Sequence, residues 1–253
     1  MKKFFYLIIA LALSTGNAMA FENEPAEGLS FMGLFGMNVS KLQNNFLEDK
    51  AKVGAMLGIR ADYVLPKAHG TYLTAGVDWT MKGGKDGNII IPIDNEAYEG
   101  TFKYALHYIE VPVRVGFRYN LNEEIGLYAE VGPYFAVGVG GRHKCSIDAD
   151  GANVRVAEEG NSYNAFKNYD YDPVNNPDRL TYQRWDAGIG FRIGAEYNQR
   201  YNVLIGADWG LADIYRTSLR DAYADYMLNN FQQNISLPKV KNFNFSITVG
   251  YRF

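Results

Sequence analysis

The chain has 253 residues, of which 47% are hydrophobic and 15% aromatic, and its formal net charge is −3. Such mild acidity gives no reason to expect a nucleic-acid partner. The single cysteine, Cys145, excludes an intrachain disulfide and a cysteine-based metal centre.

The first twenty residues are predicted to be a secretory signal peptide. Two lysines precede an apolar run, Phe4–Leu13, and the small-residue cleavage pattern Ala18–Ala20 follows. The apolar run is too short to cross a bilayer as a helix. We therefore predict a signal peptide over residues 1–20 and one domain over residues 21–253.

Eight segments after the signal alternate between uncharged positions and positions that carry charged or polar side chains. In each segment the odd-numbered positions hold no Asp, Glu, Lys or Arg. Alternation with period two is typical of β-strands whose two faces meet different surroundings. The sequence therefore predicts eight strands, the fourth starting near Tyr104. The alternating windows are 29–39, 53–65, 71–81, 107–119, 125–139, 185–197, 201–211 and 243–253.

An apolar outer face around an ionic inner face is the arrangement of a transmembrane β-barrel, because lipid touches the outside. The connections alternate in length, as they do in bacterial outer-membrane barrels. We therefore predict an all-β, eight-stranded antiparallel barrel in the bacterial outer membrane, with both termini in the periplasm. The short, periplasmic turns are 66–70, 120–124 and 198–200; the long, extracellular loops are 40–52, 83–103, 140–184 and 212–242.

Local signals refine this prediction at three places. Pro112 and Pro133 lie within strands, where a proline removes one ladder donor, so a bulge or local gap is expected. Residues 143–157 place an Asp-Gly pair between two β-like runs, which predicts a hairpin and leaves ten strands as an alternative. Residues 218–231 predict a short helix with Ser218 as its cap.

Charged residues on the inner face of the strands are expected to pair with one another. Seven acids and six bases nearly balance, and an unpaired buried charge is costly. Because side chains fill the interior of an eight-stranded barrel, a plugged lumen is favoured over a conducting pore. The predicted lumen network is Arg60, Asp62, Asp78, Glu110, Arg114, Arg118, Glu130, Asp186, Arg192, Glu196, Asp208 and Arg252, with Lys82 on the same face.

The last strand resembles the signal that the outer-membrane barrel-assembly machinery reads during biogenesis. It alternates and ends in an aromatic carboxy-terminus. Such a strand must pair by its edge and close the barrel, because open edges are not tolerated in lipid. Outer-membrane lipid and this machinery are therefore the expected partners. The assembly-signal residues are Phe243, Phe245, Tyr251 and Phe253.

Catalysis has little support in the sequence, and no enzyme activity, cofactor or resident metal is expected. His107 lies at the outer edge of the fourth strand, which keeps a lipid-modifying enzyme open as an alternative. The acids Asp94, Glu96, Asp170, Asp172 and Asp178 could hold Ca²⁺, although their spacing does not match an EF-hand loop.

Six short motifs are spread over most of the chain: Phe31–Ser40, Trp79–Gly84, Tyr108–Arg114, Gly132–Tyr134, Trp185–Gly190 and Val249–Phe253. The most specific is the Tyr-Ile-Glu-Val-Pro run that begins at Tyr108. Together they make the chain similar to the PorT-like outer membrane β-barrel family of Bacteroidetes. The resemblance implies an outer-membrane barrel of about eight strands. The founding member of that family belongs to a protein-secretion and gliding apparatus.

The leading hypothesis for function is a structural or surface-interaction role, exerted through the extracellular loops, because loops on a rigid scaffold usually carry binding. The third loop, rich in Tyr, Asn and Asp between Tyr163 and Asp178, is one candidate surface, and the fourth loop is another. A secretion component with an unknown partner, a small solute pore and a lipid-modifying enzyme remain the alternatives.

Overall fold

The computed structural model describes residues 25–43, 49–93, 96–149, 152–154, 162–168 and 181–253, so the predicted signal peptide lies outside the described residues. Within these ranges the chain forms long β-strands, three short ones and a helix. The elements are β1 (Gly28–Gln43), β2 (Asp49–Lys50), β3 (Lys52–Val64), β4 (Thr71–Ile93), β5 (Glu96–Asn120), β6 (Ile125–Ala149), β7 (Ala152–Val154), β8 (Ser162–Asn164), β9 (Trp185–Tyr197), β10 (Tyr201–Gly210), α1 (Thr217–Phe231) and β11 (Lys241–Arg252).

Eight of the strands close into an antiparallel barrel. The order around the ring is β1, β3, β4, β5, β6, β9, β10 and β11, and β11 pairs with β1 to complete it. The short strands β2, β7 and β8 pair only with β4 or β6, beyond the ring. The predicted eight-stranded barrel is confirmed.

The two faces of the strands differ as the alternation predicts. On β3, Ile59 is 67% exposed on the outer surface, whereas its neighbour Arg60 is only 3% exposed in the lumen. The burial pattern of the other barrel strands alternates in the same way. The apolar side chains therefore form the outer surface, and the ionic side chains form the interior.

The two ends of the barrel are built differently. At one end, which we call the turn end, three short connections join β3 to β4, β5 to β6 and β9 to β10, as predicted. Lys67, His69 and Gly70 in the first turn, and Asn198 and Gln199 in the third, adopt positive φ angles, which lets these turns reverse tightly. Both β1 and β11 have their terminal ends here as well.

At the opposite end, here the loop end, the strands are longer than predicted. The expected loop over 83–103 is wrong, because β4 and β5 continue as a paired hairpin as far as Ile93 and Glu96. β6 likewise runs on to Ala149 and pairs with β7, as the Asp-Gly hairpin signal predicts. The Asp-Gly pair itself lies outside the described residues. The extensions carry pairing beyond the ring but do not add strands to it.

The two prolines leave local gaps in the ladder without changing its register. Between β5 and β6, pairing is recorded at Pro112↔Tyr134 and next at Val115↔Val131, so two pairs are missing between them. A true register shift in this ladder lies instead between His107 and Tyr108. Of the two predicted outcomes, the prolines therefore produce the gap, because a missing N–H removes a bond without adding a residue.

The helix α1 is confirmed within one residue of its predicted start, but its predicted cap is wrong. The N-cap is Arg216, in extended backbone, and no side chain caps the helix; Ser218 lies inside it. At the other end Gln232 is left-handed, and its N–H donates to the carbonyl of Leu228. No helix among the described residues is long and apolar enough to cross a membrane.

The fourth long connection packs onto the barrel rather than forming a free loop. Leu219 of α1 belongs to a buried cluster that closes the loop end. We call this cluster the aromatic cap. Tyr223 packs against its edge. The cap consists of Leu42, Tyr104, Leu106, Tyr108, Tyr134, Ala136, Ala165, Phe166, Tyr182, Ile214, Tyr215, Leu219, Leu237 and Val240.

Candidate functional site

The interior of the barrel holds every charged residue that the sequence assigns to the lumen. The seven acids and six bases are buried, with none more than 7% exposed. They form three layers along the barrel axis, and the strand register brings each base next to at least one carboxylate. The sequence identified the members of this network but not their partners.

The middle layer contains three bases and three acids in one connected chain. Arg60 donates to Asp78 at 3.0 Å and to Glu130 at 2.8 Å. Arg114 contacts Glu130 at 3.4 Å and Asp208 at 3.5 Å. Arg192 donates to both carboxylate oxygens of Asp208, at 2.9 and 2.7 Å. The members of the layer are Arg60, Asp78, Glu130, Arg114, Asp208 and Arg192. The layer is therefore electrically balanced across the width of the lumen.

The layer nearest the turn end is also balanced. Arg252 donates to Asp62 at 2.7 Å and to Glu196 at 2.9 Å, and Arg118 reaches the same Asp62 oxygen at 3.4 Å. The Arg118 guanidinium lies over the ring of Tyr72, 5.2 Å from its centroid. Two bases, two acids and an aromatic ring thus fill this part of the lumen.

The layer nearest the loop end has one more acid than base. Lys82 contacts Glu110 at 2.7 Å and Asp186 at 3.4 Å. Asp186 also accepts hydrogen bonds from the Tyr134 hydroxyl at 3.3 Å and from the Asn242 amide at 2.9 Å. Neutral donors therefore support the additional negative charge, as a buried carboxylate requires.

Inward glycines make room for the large side chains between the layers. A Cβ built on Gly116 would collide with the ring of Tyr72, and one built on Gly194 would collide with the ring of Tyr128. The Tyr128 hydroxyl in turn donates to the Asn202 side chain at 3.1 Å. Close packing of rings against bare backbone leaves the lumen filled by side chains rather than open.

The aromatic cap continues the obstruction beyond the ionic layers, and sequence reasoning missed it. Tyr104 packs edge-on against Tyr182 at 5.8 Å, and Tyr108 packs edge-on against Phe166 at 5.6 Å. Tyr182 lies tilted against Tyr215 at 5.5 Å. The high tyrosine content was the available signal, but Phe166, Tyr182 and Tyr215 come from connections without periodicity. No pattern therefore grouped them with the strand residues Tyr104 and Tyr108.

A family comparison bears directly on this architecture. The family described as the outer membrane protein beta-barrel domain matches residues 21–216 of the chain. The chain belongs to that family. As an outer-membrane barrel it is placed in the bacterial outer membrane, which agrees with the predicted location and with the apolar outer surface. A search of curated proteins finds no match.

Solved barrels resemble this outer-membrane barrel in fold alone. The attachment invasion locus protein Ail of Yersinia pestis has 15% identity, covers 90% of this chain and 100% of its own, and gives a TM-score of 0.36. Neisserial surface protein A has 13% identity, covers 90% of this chain and 100% of its own, and gives a TM-score of 0.40. The outer membrane protein OprG of Pseudomonas aeruginosa has 9% identity, covers 92% of this chain and 99% of its own, and gives a TM-score of 0.42.

Aromatic residues mark the two edges of the outer surface of this outer-membrane barrel. At the turn end Tyr251 packs against Tyr201 at 5.5 Å and against Phe253 at 6.2 Å. At the other edge Trp209 packs against Phe243 at 5.9 Å. Rings at two levels are typical of the lipid–water interfaces of such barrels.

Three of the four predicted assembly-signal residues lie on β11, whose partner strands are β1 and β10, and Phe253 directly follows this strand. Phe245 and Tyr251 point outward, and Phe253 is 73% exposed at the end of the chain. Phe243 is partly covered by Trp209. The aromatic face of the closing strand is thus accessible from the lipid side, although recognition by the assembly machinery remains a prediction.

Of the remaining candidate residues, His107 lies near the loop end. The ring of His107 stacks on Trp79, with 5.6 Å between the centroids. Among the described residues no cluster of three or more His, Cys, Asp or Glu could hold a metal ion. The side chains of the candidate Ca²⁺ ligands, Asp94, Glu96, Asp170, Asp172 and Asp178, lie outside the described part of the chain.

His143 is a buried histidine that packs beside the aromatic cap. It lies beyond the Val137–Trp185 pair at the loop end, is 1% exposed, and contacts Tyr104 with 4.6 Å between ring centroids. Burial disfavours the charged imidazolium and lowers the pKa of His143 to about 3. The imidazole is therefore neutral at physiological pH.

Proposed function

We propose that this protein is a non-conducting outer-membrane barrel with a structural or surface-interaction role at its loop end, and that it is not an enzyme. The observation that carries the proposal is the obstruction of the lumen. Three ionic layers and an aromatic cap occupy the path that a solute would take. A scaffold closed in this way offers surfaces rather than a channel.

Passage of an ion would require the middle layer to open. Arg60, Arg114 and Arg192 are each at most 3% exposed. Arg60 contacts Glu130 and Arg114 contacts Asp208 across non-adjacent strands, and Arg192 contacts the same Asp208 from the neighbouring strand. Separating a buried ion pair leaves an uncompensated charge at a cost of about 3–5 kcal/mol. Several such pairs would have to separate together, which argues against the small solute pore considered above.

The loop end is the best candidate for the interaction surface. The β4–β5 hairpin and the extended β6 project from it, and α1 is fixed by Leu219 in the cap. α1 and the segment after it also expose Leu228, Phe231 and Ile235. Rigid projecting elements with exposed apolar side chains suit protein or lipid contact.

The proposed orientation puts the loop end outside the cell and both termini in the periplasm. Support comes from connection length, since short turns are typically periplasmic in these barrels. With Cys145 replaced by Ser, a single cysteine at Leu228 should react with a membrane-impermeant maleimide on intact cells. A matched cysteine at Leu121, exposed in a turn, should react only after the envelope is opened. The reverse labelling pattern would invert the orientation.

Planar-bilayer recording tests the central proposal. The purified barrel should insert without steady conductance, and insertion can be verified by heat-modifiable migration of the recovered protein. A porin recorded under the same conditions provides the positive control. Stable, single-sized conductance steps from the pure protein would overturn the plugged-lumen proposal.

A role in protein secretion is the second candidate, and its support is the resemblance at Tyr108–Arg114 to the PorT-like family. In the structure Glu110 and Arg114 of this motif belong to the ionic layers, which a barrel needs for packing whatever its role. Deleting the gene and comparing secreted proteins tests this candidate, and unchanged secretion would remove it. Phospholipid turnover by wild type and His107→Ala tests the lipid-enzyme alternative in the same way.

A further inference from the structure

A cavity of about 350 Å³ opens at the loop end, beside the start of α1. It is separate from the lumen network, and none of the residues around it was singled out by the sequence motifs as a ligand site. The residues that line it are Gln183, Arg184, Trp185, Arg216, Thr217 and Ser218. Two guanidinium groups, two hydroxyl groups and an indole therefore surround one space.

Both arginines are held in position through Phe166 and Gly138. Arg184 donates to the carbonyl oxygen of Gly138 at 2.7 Å, and its guanidinium lies over the Phe166 ring, 5.6 Å from the centroid. Arg216 donates to the carbonyl oxygen of Phe166, also at 2.7 Å. Because Phe166 belongs to the buried cap, this arrangement fixes both cations on a rigid support.

The positive charge of this pair is not neutralised by the described residues. Within the described ranges neither Arg184 nor Arg216 lies in ion-pair distance of a carboxylate, and the first turn of α1 contains no acid. An arginine has five N–H donors, so each guanidinium retains donors for a ligand. Such a fork matches the oxygens of a phosphate group.

The position of the cavity favours a lipid over a soluble phosphate. Trp185 is 68% exposed and begins β9, on the face where Phe191 and Ile193 are also exposed. It thus lies at the end of a lipid-facing column, where an indole is typical of the membrane–water interface. A headgroup phosphate lies at this level, and its acyl chains would extend along the column.

We propose that the cavity between Arg184 and Arg216 binds the phosphate group of an anionic membrane lipid in the leaflet at the loop end. The guanidinium groups bind the phosphate oxygens, and Thr217 and Ser218 donate further hydrogen bonds. Trp185 contacts the glycerol or sugar part of the headgroup. This binding is independent of conductance, so a silent or a conducting barrel leaves the proposal unaffected.

The test uses the purified full-length barrel in phosphatidylcholine nanodiscs with or without phosphatidic acid. Retention of phosphatidic acid is measured by native mass spectrometry, and Trp185 emission is followed during titration. Loss of one charge-assisted contact should weaken retention about tenfold or more in Arg184→Gln and in Arg216→Gln. Arg184→Lys, which retains the charge but loses the fork, should give an intermediate loss.

Lys239→Gln is the matched control, because it removes one exposed positive charge at the same end of the barrel. It should bind phosphatidic acid like the wild type. Equal weakening in Lys239→Gln and the arginine variants would overturn a specific site, as would unchanged binding in both arginine variants.

Two further measurements keep the proposal testable if the arginine variants fold poorly. In the wild-type protein, phosphatidic acid should change an emission component that is absent from Trp185→Phe; no such change would contradict the proposal. Inorganic phosphate should produce a much weaker response at equal concentration. A response as strong as that to phosphatidic acid would overturn the assignment to a lipid.

Discussion

Replacing Arg60 with Met should destabilise the barrel through the carboxylates that it leaves behind. Arg60 bonds Asp78 at 3.0 Å and Glu130 at 2.8 Å, and all three side chains are buried. Glu130 keeps the Arg114 contact at 3.4 Å and the Tyr72 hydroxyl at 3.2 Å. Asp78 has Arg60 as its one recorded ion-pair partner among the described residues.

The expected loss for Arg60→Met is about 3 kcal/mol of unfolding free energy. Removing one member of a buried pair costs about 3–5 kcal/mol, and the contacts that Glu130 keeps favour the lower end. In Arg60→Met/Asp78→Asn a neutral amide replaces the Asp78 carboxylate, so no unpaired charge remains at position 78. The double variant should therefore be less destabilised than Arg60→Met alone. A coupling of about 1–3 kcal/mol between the two positions is expected.

Equilibrium unfolding in urea with lipid vesicles, followed by tryptophan fluorescence, measures these differences. Arg200→Met is the matched control, because Arg200 is exposed in a turn and its replacement should change stability by less than about 0.5 kcal/mol. If Arg60→Met unfolds within about 1 kcal/mol of wild type, or if the two substitutions add without coupling, Arg60 does not neutralise Asp78 as described.

Three further predictions concern packing and pH. Gly194→Ala should cost about 1–3 kcal/mol because the added Cβ meets a tyrosine ring, whereas Gly33→Ala, with no atom within 4 Å, should be close to neutral in the same unfolding assay. Leu219→Ala should raise hydrogen exchange throughout α1 by opening a cavity in the cap, and the exposed Leu228→Ala should not. Because burial lowers the pKa of His143 to about 3, cap stability should be complete above the unfolded pKa of about 6.5 and fall on acidification, by about 2 kcal/mol at pH 5. Exchange that is insensitive to pH after correction for intrinsic rates, or an imidazole resonance of His143 that titrates near pH 6, would contradict this.

The barrel strands could be predicted because every residue in the ring has lipid on one side and the lumen on the other. That constraint produces period-two alternation, and it ends where the ring ends. From Gly83 onward β4 pairs with β5 and with the two-residue strand β2, and its run of glycines and isoleucines shows no alternation. Extended strands there could not be distinguished from a loop by periodicity.

The composition of the ionic lumen could be predicted, but its pairing could not. Arg252 meets Asp62 across 190 positions of sequence, and Arg60 on β3 reaches Glu130 on β6, a strand that is not its neighbour in the ring. Such contacts depend on register and on strand tilt. The aromatic cap could not be predicted from the sequence for a related reason. Tertiary packing, and not a local sequence pattern, brings Phe166 and Leu219 together.

The seam between β1 and β11 has a consequence for translation and export. Twelve residue pairs, from Met32↔Arg252 to Gln43↔Lys241, join the first strand of the barrel to the last. One edge of β1 therefore stays unpaired until β11 has been synthesised. Chaperones must bind the polypeptide until then to prevent aggregation through this edge. A stop codon that removes most of β11 would leave one edge of β1 and one edge of β10 unpaired. We expect proteases to degrade such a truncated product before it inserts into the membrane.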